Sequence, residues 1–416
     1  MSFGFLQPLL GSVLLIALAV LLSENRRAIR PRFVLAALGL QLAFALLLLR
    51  VPLLRDGLFA LNGLVGALQT ASNAATSFVF GYIGGAPPPF AIENPQGMVV
   101  LAFGILPILL VISALAALFW YWGILPRLTR AFAFLLERTL GVGGAVGLCA
   151  AATPFLGMVE APLLIRPYLA RLSRAELFAI LAVGLSTVSG TVLFLYASFL
   201  SGRVPDALGH ILVASILNVP SSFLFSHLLI PGAEVTKADA AQPKLYRSSI
   251  DSIVQGTEDG LKLYLNIIAM LVVSVALVKL ADLTLAVLPQ VAGAPLSFER
   301  MAGWAFAPLV WCVGVPWSEA PAAGALMGTK TVLNELLAYL ALGGEPGTAL
   351  SPHTRLLMLY ALCGFANFGS VGIMIGGVSA MAPERRGELG GLSLKSMIPG
   401  TLATLLTAAI AGLFVP

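Results

Sequence analysis

The stretch GTKTVLNELLAYL, Gly328 to Leu340, places Lys330, Asn334 and Glu335 among runs of Leu, Ala, Val and Gly. An ammonium and a carboxylate are costly in such surroundings and mark function by default. The rest of the chain makes the surroundings more apolar still. It has 416 residues, 59% hydrophobic and 10% charged, with mean hydropathy +0.96. Soluble domains carry about 25% charged residues, and a single core of this size cannot hide so much apolar surface. Lipid is therefore the solvent for most of the chain. Cys149, Cys312 and Cys363 lie in separate apolar stretches without metal-ligand spacing and read as small hydrophobes. The net charge of +5 is concentrated at segment ends, which reads as membrane topology and not as a nucleic-acid surface.

A membrane-spanning helix needs about 20 mainly apolar residues. Such segments occur at 8–23, 31–51, 99–124, 176–200, 208–230, 261–290, 353–381 and 390–415, which predicts eight spans. The first lacks a basic leader and is read as a helix, not a cleaved signal. Basic clusters follow the first span (Arg26, Arg27, Arg30, Arg32) and the third (Arg127, Arg130), and precede the fourth (Arg166, Arg171, Arg174). Two more lie between the fifth and sixth (Lys237, Lys244, Arg247) and between the seventh and eighth (Arg385, Arg386). If all five are cytoplasmic, both termini are outside.

Two apolar segments, 134–170 and 300–342, are interrupted by Gly and Pro, and each carries a glutamate. A single crossing by either would reverse every basic loop downstream. Entry and exit on one side keeps the pattern, so both are read as re-entrant helical hairpins, entering from opposite sides in an inverted-repeat layout. Irregular backbone at membrane depth is tolerated only beside protein or a water-filled cavity, and paired interruptions point to a transporter's binding site. Residues 53–85 read as one or two interfacial helices. The expected fold is an all-α polytopic membrane protein.

These residues resemble the bacterial members of the concentrative nucleoside transporter family. Gly328, Lys330, Asn334, Glu335, Ala338 and Tyr339 match its signature G-x-K-x-x-x-N-E-F-V-A-[YMF], with Leu336 and Leu337 in place of Phe and Val. FLGMVEAPLLIRPYL resembles the first hairpin, and CGFANFGSVGI the seventh core span; GVPWSEA and APERR also fit. The resemblance is carried by motifs from about residue 97 onward and by layout alone before that. It implies a homotrimer in the bacterial inner membrane that imports nucleosides by an elevator-like motion, coupled to H+ or Na+, with no other cofactor. The scaffold would comprise 1–52, 53–98, 99–133 and 233–299, and the transport domain 134–232 and 300–416.

By the same resemblance, Glu335, Asn367 and Ser370 bind ribose and Phe365 lies beside the nucleoside. A carboxylate accepts without donating, which suits a diol. Lys330, five residues before Glu335 and off its helical face, would neutralise it or reach the interface. Gly157, Met158, Val159 and Glu160, with Val192 opposite, form the base-facing tip. Met158 and Val159 replace the family's Gln and Thr and remove the groups that read a base edge. A broadened base range or a non-nucleoside, ribose-like solute therefore remains open. The cation positions fall on Thr153, Leu156, Thr187 and Val188. Thr153 replaces an Asn, a shorter arm for a hard cation that needs several oxygens at fixed distances. A proton needs only one carboxylate, and Glu160 is the candidate, which tilts the reading toward H+. A membrane enzyme would need a motif such as H-E-x-x-H or paired intramembrane aspartates, and neither is present. His210, His227 and His353 fall near span ends and read as interfacial. A channel would be plugged by the hairpin tips.

Overall fold

The computed structural model describes residues 6–91, 100–236, 245–291 and 293–415. Lys237 and Lys244 of the expected basic loop lie outside them. The chain is all-α, and among the described residues an isolated bridge between Val291 and Ala294 is the sole β feature. Helices α1 (Leu6–Leu21), α2 (Pro31–Arg50), α3 (Pro52–Ala60) and α4 (Asn62–Phe80) come first. A π-helical turn at Leu101–Ile105 leads into α5 (Ile108–Tyr121) and then α6 (Ile124–Leu140). There follow α7 (Gly144–Leu156), α8 (Glu160–Leu163), α9 (Arg166–Leu169), α10 (Arg174–Ser186), α11 (Gly190–Phe199) and α12 (Ala207–Leu229). The second half holds α13 (Ser249–Leu285), α14 (Phe298–Val313), α15 (Ala320–Val332), α16 (Glu335–Gly343) and α17 (Glu345–Thr348). It ends with α18 (Pro352–Leu362), α19 (Phe368–Met381) and α20 (Arg386–Phe414).

Among the described residues six helices are long and apolar enough to cross a membrane. They coincide with six of the eight expected spans, one of which, Arg174–Phe199, combines α10 and α11. Of the other two, α1 has 16 residues, and the segment 353–381 is two helices, α18 and α19, interrupted at 363–367. Close packing explains the interruption. A Cβ on Gly364 would lie 2.6 Å from the Ser186 carbonyl oxygen, so the backbone crosses another chain segment there.

Both expected hairpin boundaries shift. Residues 134–140 belong to α6, whose buried face is Thr129, Ala133, Leu136 and Leu140, while Arg127, Arg130 and Arg138 are exposed. Gly141, with φ +66°, ends it. In the second segment the Gly- and Pro-rich GVPWSEA is the turn between α14 and α15, two helices that pack along each other. The hairpin proper is α15 and α16, and its tip is inside the signature stretch, at Leu333 and Asn334.

The two halves then repeat element for element. A flanking helix (α6, α14) precedes a 13-residue arm (α7, α15) and a return arm (α8, α16). Next come an interrupted helix (α10–α11, α18–α19) and a long helix (α12, α20). Capping fixes several starts. Ser173 and Glu176 form a reciprocal box at α10, and Ser351 accepts from the Thr354 N–H at α18, with Pro352 at the first helical position. Helices α12 and α20 form the centre, packed on each other and on α10 and α18. Helix α13, 37 residues long, pairs with α5, and α1 and α2 lie chiefly against α12, α14 and α20.

Candidate functional site

At the second tip the helix cannot run on. Leu333 leaves helical geometry, and Asn334 is extended, its Oδ1 accepting the Leu337 N–H at 2.9 Å. An Asn cap of this kind starts a new helix. It places Glu335 at the first position of α16, where the helix N-terminus favours a carboxylate. Glu335 is 5% exposed. Its Oε1 accepts from the Tyr196 hydroxyl at 2.6 Å and its Oε2 from Asn367 Nδ2 at 2.8 Å. Tyr196 stacks on Tyr339 at 4.7 Å, and the Tyr339 hydroxyl donates to the Leu359 carbonyl. The carboxylate's remaining acceptor capacity faces a cavity.

Asn367 caps α19, its Oδ1 accepting the Ser370 N–H at 2.7 Å. Cap and Ser370 thus stand one turn apart at the interruption of the second half.

The first tip turns at Gly157, with φ +109°. A Cβ there would lie 2.9 Å from Glu160 Oε2 and 3.1 Å from Ser189 Cβ, so only glycine fits. Glu160 projects into the cavity, folded back over this glycine. Met158 packs toward α10, where a Cβ on Gly184 would lie 3.1 Å from its own Cβ. Val159 packs on α19, where a Cβ on Gly377 would lie 2.7 Å from its methyl. Both residues seat the tip as well as lining the space.

The cavity measures about 390 Å³. Gly157, Met158, Val159, Glu160, Val192, Glu335, Phe365, Asn367 and Ser370 all line it, so every expected substrate residue converges on one space. Sequence reasoning missed its far wall, the first half of α13, with Gly256, Asp259, Lys262, Asn266 and Met270. The signal was there: these residues recur at helical spacing along one face. It also missed the hydroxyl pair Ser189 and Thr191, 2.7 Å apart, on the same surface.

Of the expected cation positions, Leu156 lines the cavity, while Thr153, Thr187 and Val188 are buried away from it. The Thr153 hydroxyl donates to the Cys149 carbonyl at 2.7 Å, and that of Thr187 to the Val183 carbonyl at 2.9 Å. Val188 exchanges hydrogen bonds with Ser215 at 3.4 and 3.2 Å. The end of α7 lies against this interruption, since a Cβ on Gly190 would be 3.0 Å from the Phe155 carbonyl oxygen. No group of three or more His, Cys, Asp or Glu residues suited to a metal ion occurs among the described residues.

Lys330 neither pairs directly with Glu335 nor reaches an interface. It is fully buried, and its Nζ donates to the Ala361 carbonyl at 2.8 Å and to Thr404 Oγ1 at 3.1 Å. It serves the C-terminal end of α18, where orphan carbonyls and the helix dipole favour a cation. His210 and His227 are likewise interior: His210 Nδ1 lies 2.8 Å from the Tyr360 hydroxyl, and His227 Nε2 accepts the Arg30 N–H at 3.0 Å. His353 is exposed. The three cysteines are free and buried.

Two tips and two interrupted helices around one cavity with a buried carboxylate define the architecture of a membrane transporter. The comparisons agree. Models of the Na+ dependent nucleoside transporter family match residues 10–83 (its N-terminus) and 210–412 (its C-terminus), and a nucleoside recognition model matches 102–203. The nucleoside permease NupC of Helicobacter pylori is 34% identical, with 100% of this chain and 99% of that protein covered. The structure of CNTnw in an inward-facing substrate-bound state has a TM-score of 0.88 at 36% identity, covering 99% of this chain and 98% of that one. An outward-facing CNTnw variant also gives 0.88, at 35% identity and the same coverage. The chain belongs to the concentrative nucleoside transporter family, a family of transporters and not of enzymes. The match extends through the first 97 residues, where the sequence motifs had offered only layout.

Proposed function

We propose that this protein imports nucleosides across the bacterial inner membrane by cation symport, with an elevator-like alternation of access. The observation that carries this reading is Glu335, buried at a helix N-terminus, doubly hydrogen-bonded, and facing a cavity shared with Asn367 and Ser370. A fixed acceptor beside an amide and a hydroxyl suits a ribose diol. Phe365 flanks the sugar, and Gly157, Met158, Val159, Glu160 and Val192 face the base. In the membrane reading, eight spans and two re-entrant hairpins of opposite entry leave both termini outside.

The moving part comprises residues 134–232 and 300–416, and α5 with α13 forms the stationary part. Helices α1 and α2, assigned to the scaffold, border the moving part through α12, α14 and α20. The assembly is a homotrimer in lipid, as the family resemblance implies. Thr153, Leu156, Thr187 and Val188 mark the cation path. Thr153 in place of the family's Asn, beside a cavity-facing Glu160, supports H+ over Na+, against the Na+ dependence in the family model's description.

A second reading is a ribose-like solute that is not a nucleoside. It is favoured by Met158 and Val159, which pack against α10 and α19 and offer a base no hydrogen bond. Proteoliposome uptake of uridine, cytidine, adenosine, inosine and free ribose, under separate Na+ and H+ gradients, decides among these. The expected result is gradient-driven nucleoside accumulation in Na+-free buffer with weak discrimination among bases, and sharper discrimination in Met158→Gln/Val159→Thr. A site that hydrogen-bonds a group rejects analogues lacking it far better than an apolar pocket does. Accumulation that requires Na+ and ignores the H+ gradient overturns the proton assignment. Uptake of ribose alone overturns the nucleoside reading.

A further inference from the structure

The interruptions of the two halves meet at one side chain. Asn218, on α12, has no solvent exposure. Its Nδ2 donates to the Ser186 carbonyl and to the Cys363 carbonyl, each at 2.7 Å. Ser186 is the last residue of α10, and Cys363 is the first beyond α18. Beside them the Phe365 N–H donates to the Thr187 carbonyl at 3.3 Å. Ser222, one turn further along α12, donates to the Asn218 carbonyl at 2.7 Å, and its hydroxyl oxygen lies against that of Ser186. The helix ends that lead into the cation positions Thr187 and Val188, and into the nucleoside positions Phe365 and Asn367, thus share one amide.

The chemistry requires this residue type. Carbonyls freed at a helix end need donors when buried. An Asn amide supplies two donors in a fixed fork, a serine supplies one, and an aspartate supplies none. Asn218 Oδ1 has no partner of its own, so the side chain is held by its two donor bonds and not by a wider network.

We propose that Asn218 is a positioning residue that couples the two sites: a shift of the Thr187–Val188 backbone on cation binding moves the Cys363 carbonyl through the shared amide. That movement resets Phe365 and Asn367 for the nucleoside. The inference rests on the symport reading. Coupling of this kind is reciprocal and appears as a ratio of affinities.

The test uses the purified full-length protein and titration calorimetry with uridine and adenosine. Each dissociation constant is measured with and without Na+ at fixed pH, and at low and high pH without Na+. In the wild type the effective cation tightens binding by a factor of about 5–150, the usual range for linked sites. Asn218→Leu, similar in volume and without a donor, is expected to bring that ratio close to 1 while leaving the cation-free constant near the wild-type value. Asn218→Ser, with one donor, is expected to fall between, and it decides the matter if Asn218→Leu does not fold. A variant that weakens both constants equally keeps the wild-type ratio, shows a merely structural role, and overturns the inference. A wild-type ratio of 1 with every cation overturns the symport reading itself, and the inference with it.

Discussion

Two protein donors, Tyr196 and Asn367, each take one oxygen of Glu335, which fixes the carboxylate before it meets a sugar. Glutamine at this position keeps the shape, and Tyr196 can turn its hydroxyl to accept. The fold therefore survives Glu335→Gln, while the charge and one acceptor facing the cavity are lost. A hydrogen bond to a charged group contributes about 1.5–3 kcal/mol, so the dissociation constant of a ribonucleoside is expected to rise at least about tenfold. Titration of the purified variant checks this, and wild-type affinity would remove Glu335 from the ribose site. Lys330 teaches the reverse lesson. Its place in the signature suggested a partner for Glu335, yet its hydrogen bonds go to Ala361 and Thr404, residues 31 and 74 positions along the chain. No local spacing rule reaches that far.

The elements with a strong period or a strong interruption were legible. Long apolar helices such as α2, α12 and α20 announced themselves, whereas the first tip, Gly157 to Glu160, was located by its resemblance to the family's first hairpin. The second tip was not located within 300–342, because GVPWSEA carries the louder Gly and Pro signals, whereas Leu333 and Asn334 break the helix through one Asn cap. Helix α6 was divided because its amphipathic pattern runs straight into the apolar arm behind it. The interruption at 363–367, inside what the sequence offered as one span, is a crossing of two backbones. A Cβ on Gly364 would meet the Ser186 carbonyl oxygen at 2.6 Å and a Thr404 methyl at 2.9 Å, whereas one on Gly372 would meet nothing within 4 Å. Overpacking a close contact costs about 1–3 kcal/mol. Gly364→Ala should thus lower the melting temperature in detergent and weaken nucleoside binding, while Gly372→Ala leaves both near wild type. Equal melting temperatures would show that the crossing relaxes freely.

At the scale of the molecule, Glu24 ties the loop after α1 to both halves. Its carboxylate meets Arg174 at 2.5 and 2.9 Å and Lys395 at 2.6 Å. The Arg174 hydrogen bonds, with help from Lys395, hold the Glu24 carboxyl down at about 2 against an ordinary value of 4.5. A depressed carboxyl stabilises the fold fully above its unfolded value, and the contribution is lost as pH falls through the folded value. The window therefore runs from about 4.5 down to about 2. The cluster is partly open to solvent, so screening limits its contribution to about 1 kcal/mol or less. Glu24→Gln should be less stable than wild type at neutral pH, most clearly at low salt, and the gap should narrow steadily below pH 4.5. Thermal melts across that range check it, and a gap that persists unchanged to the acid end would detach Glu24 from the effect.

Helix α13 has one more consequence. Its 37 residues span about 55 Å, well beyond a hydrocarbon layer of about 30 Å. The run from Leu263 to Val278 holds no charge, whereas Asp251, Glu258, Asp259 and Lys262 all precede it. Gly256, Asp259 and Lys262, part of the cavity's far wall, belong to that charged part. At that end the cavity wall therefore carries charged side chains. On the transport reading proposed above, a solute leaving past them meets charge, and its solubility in oil plays no part in that step.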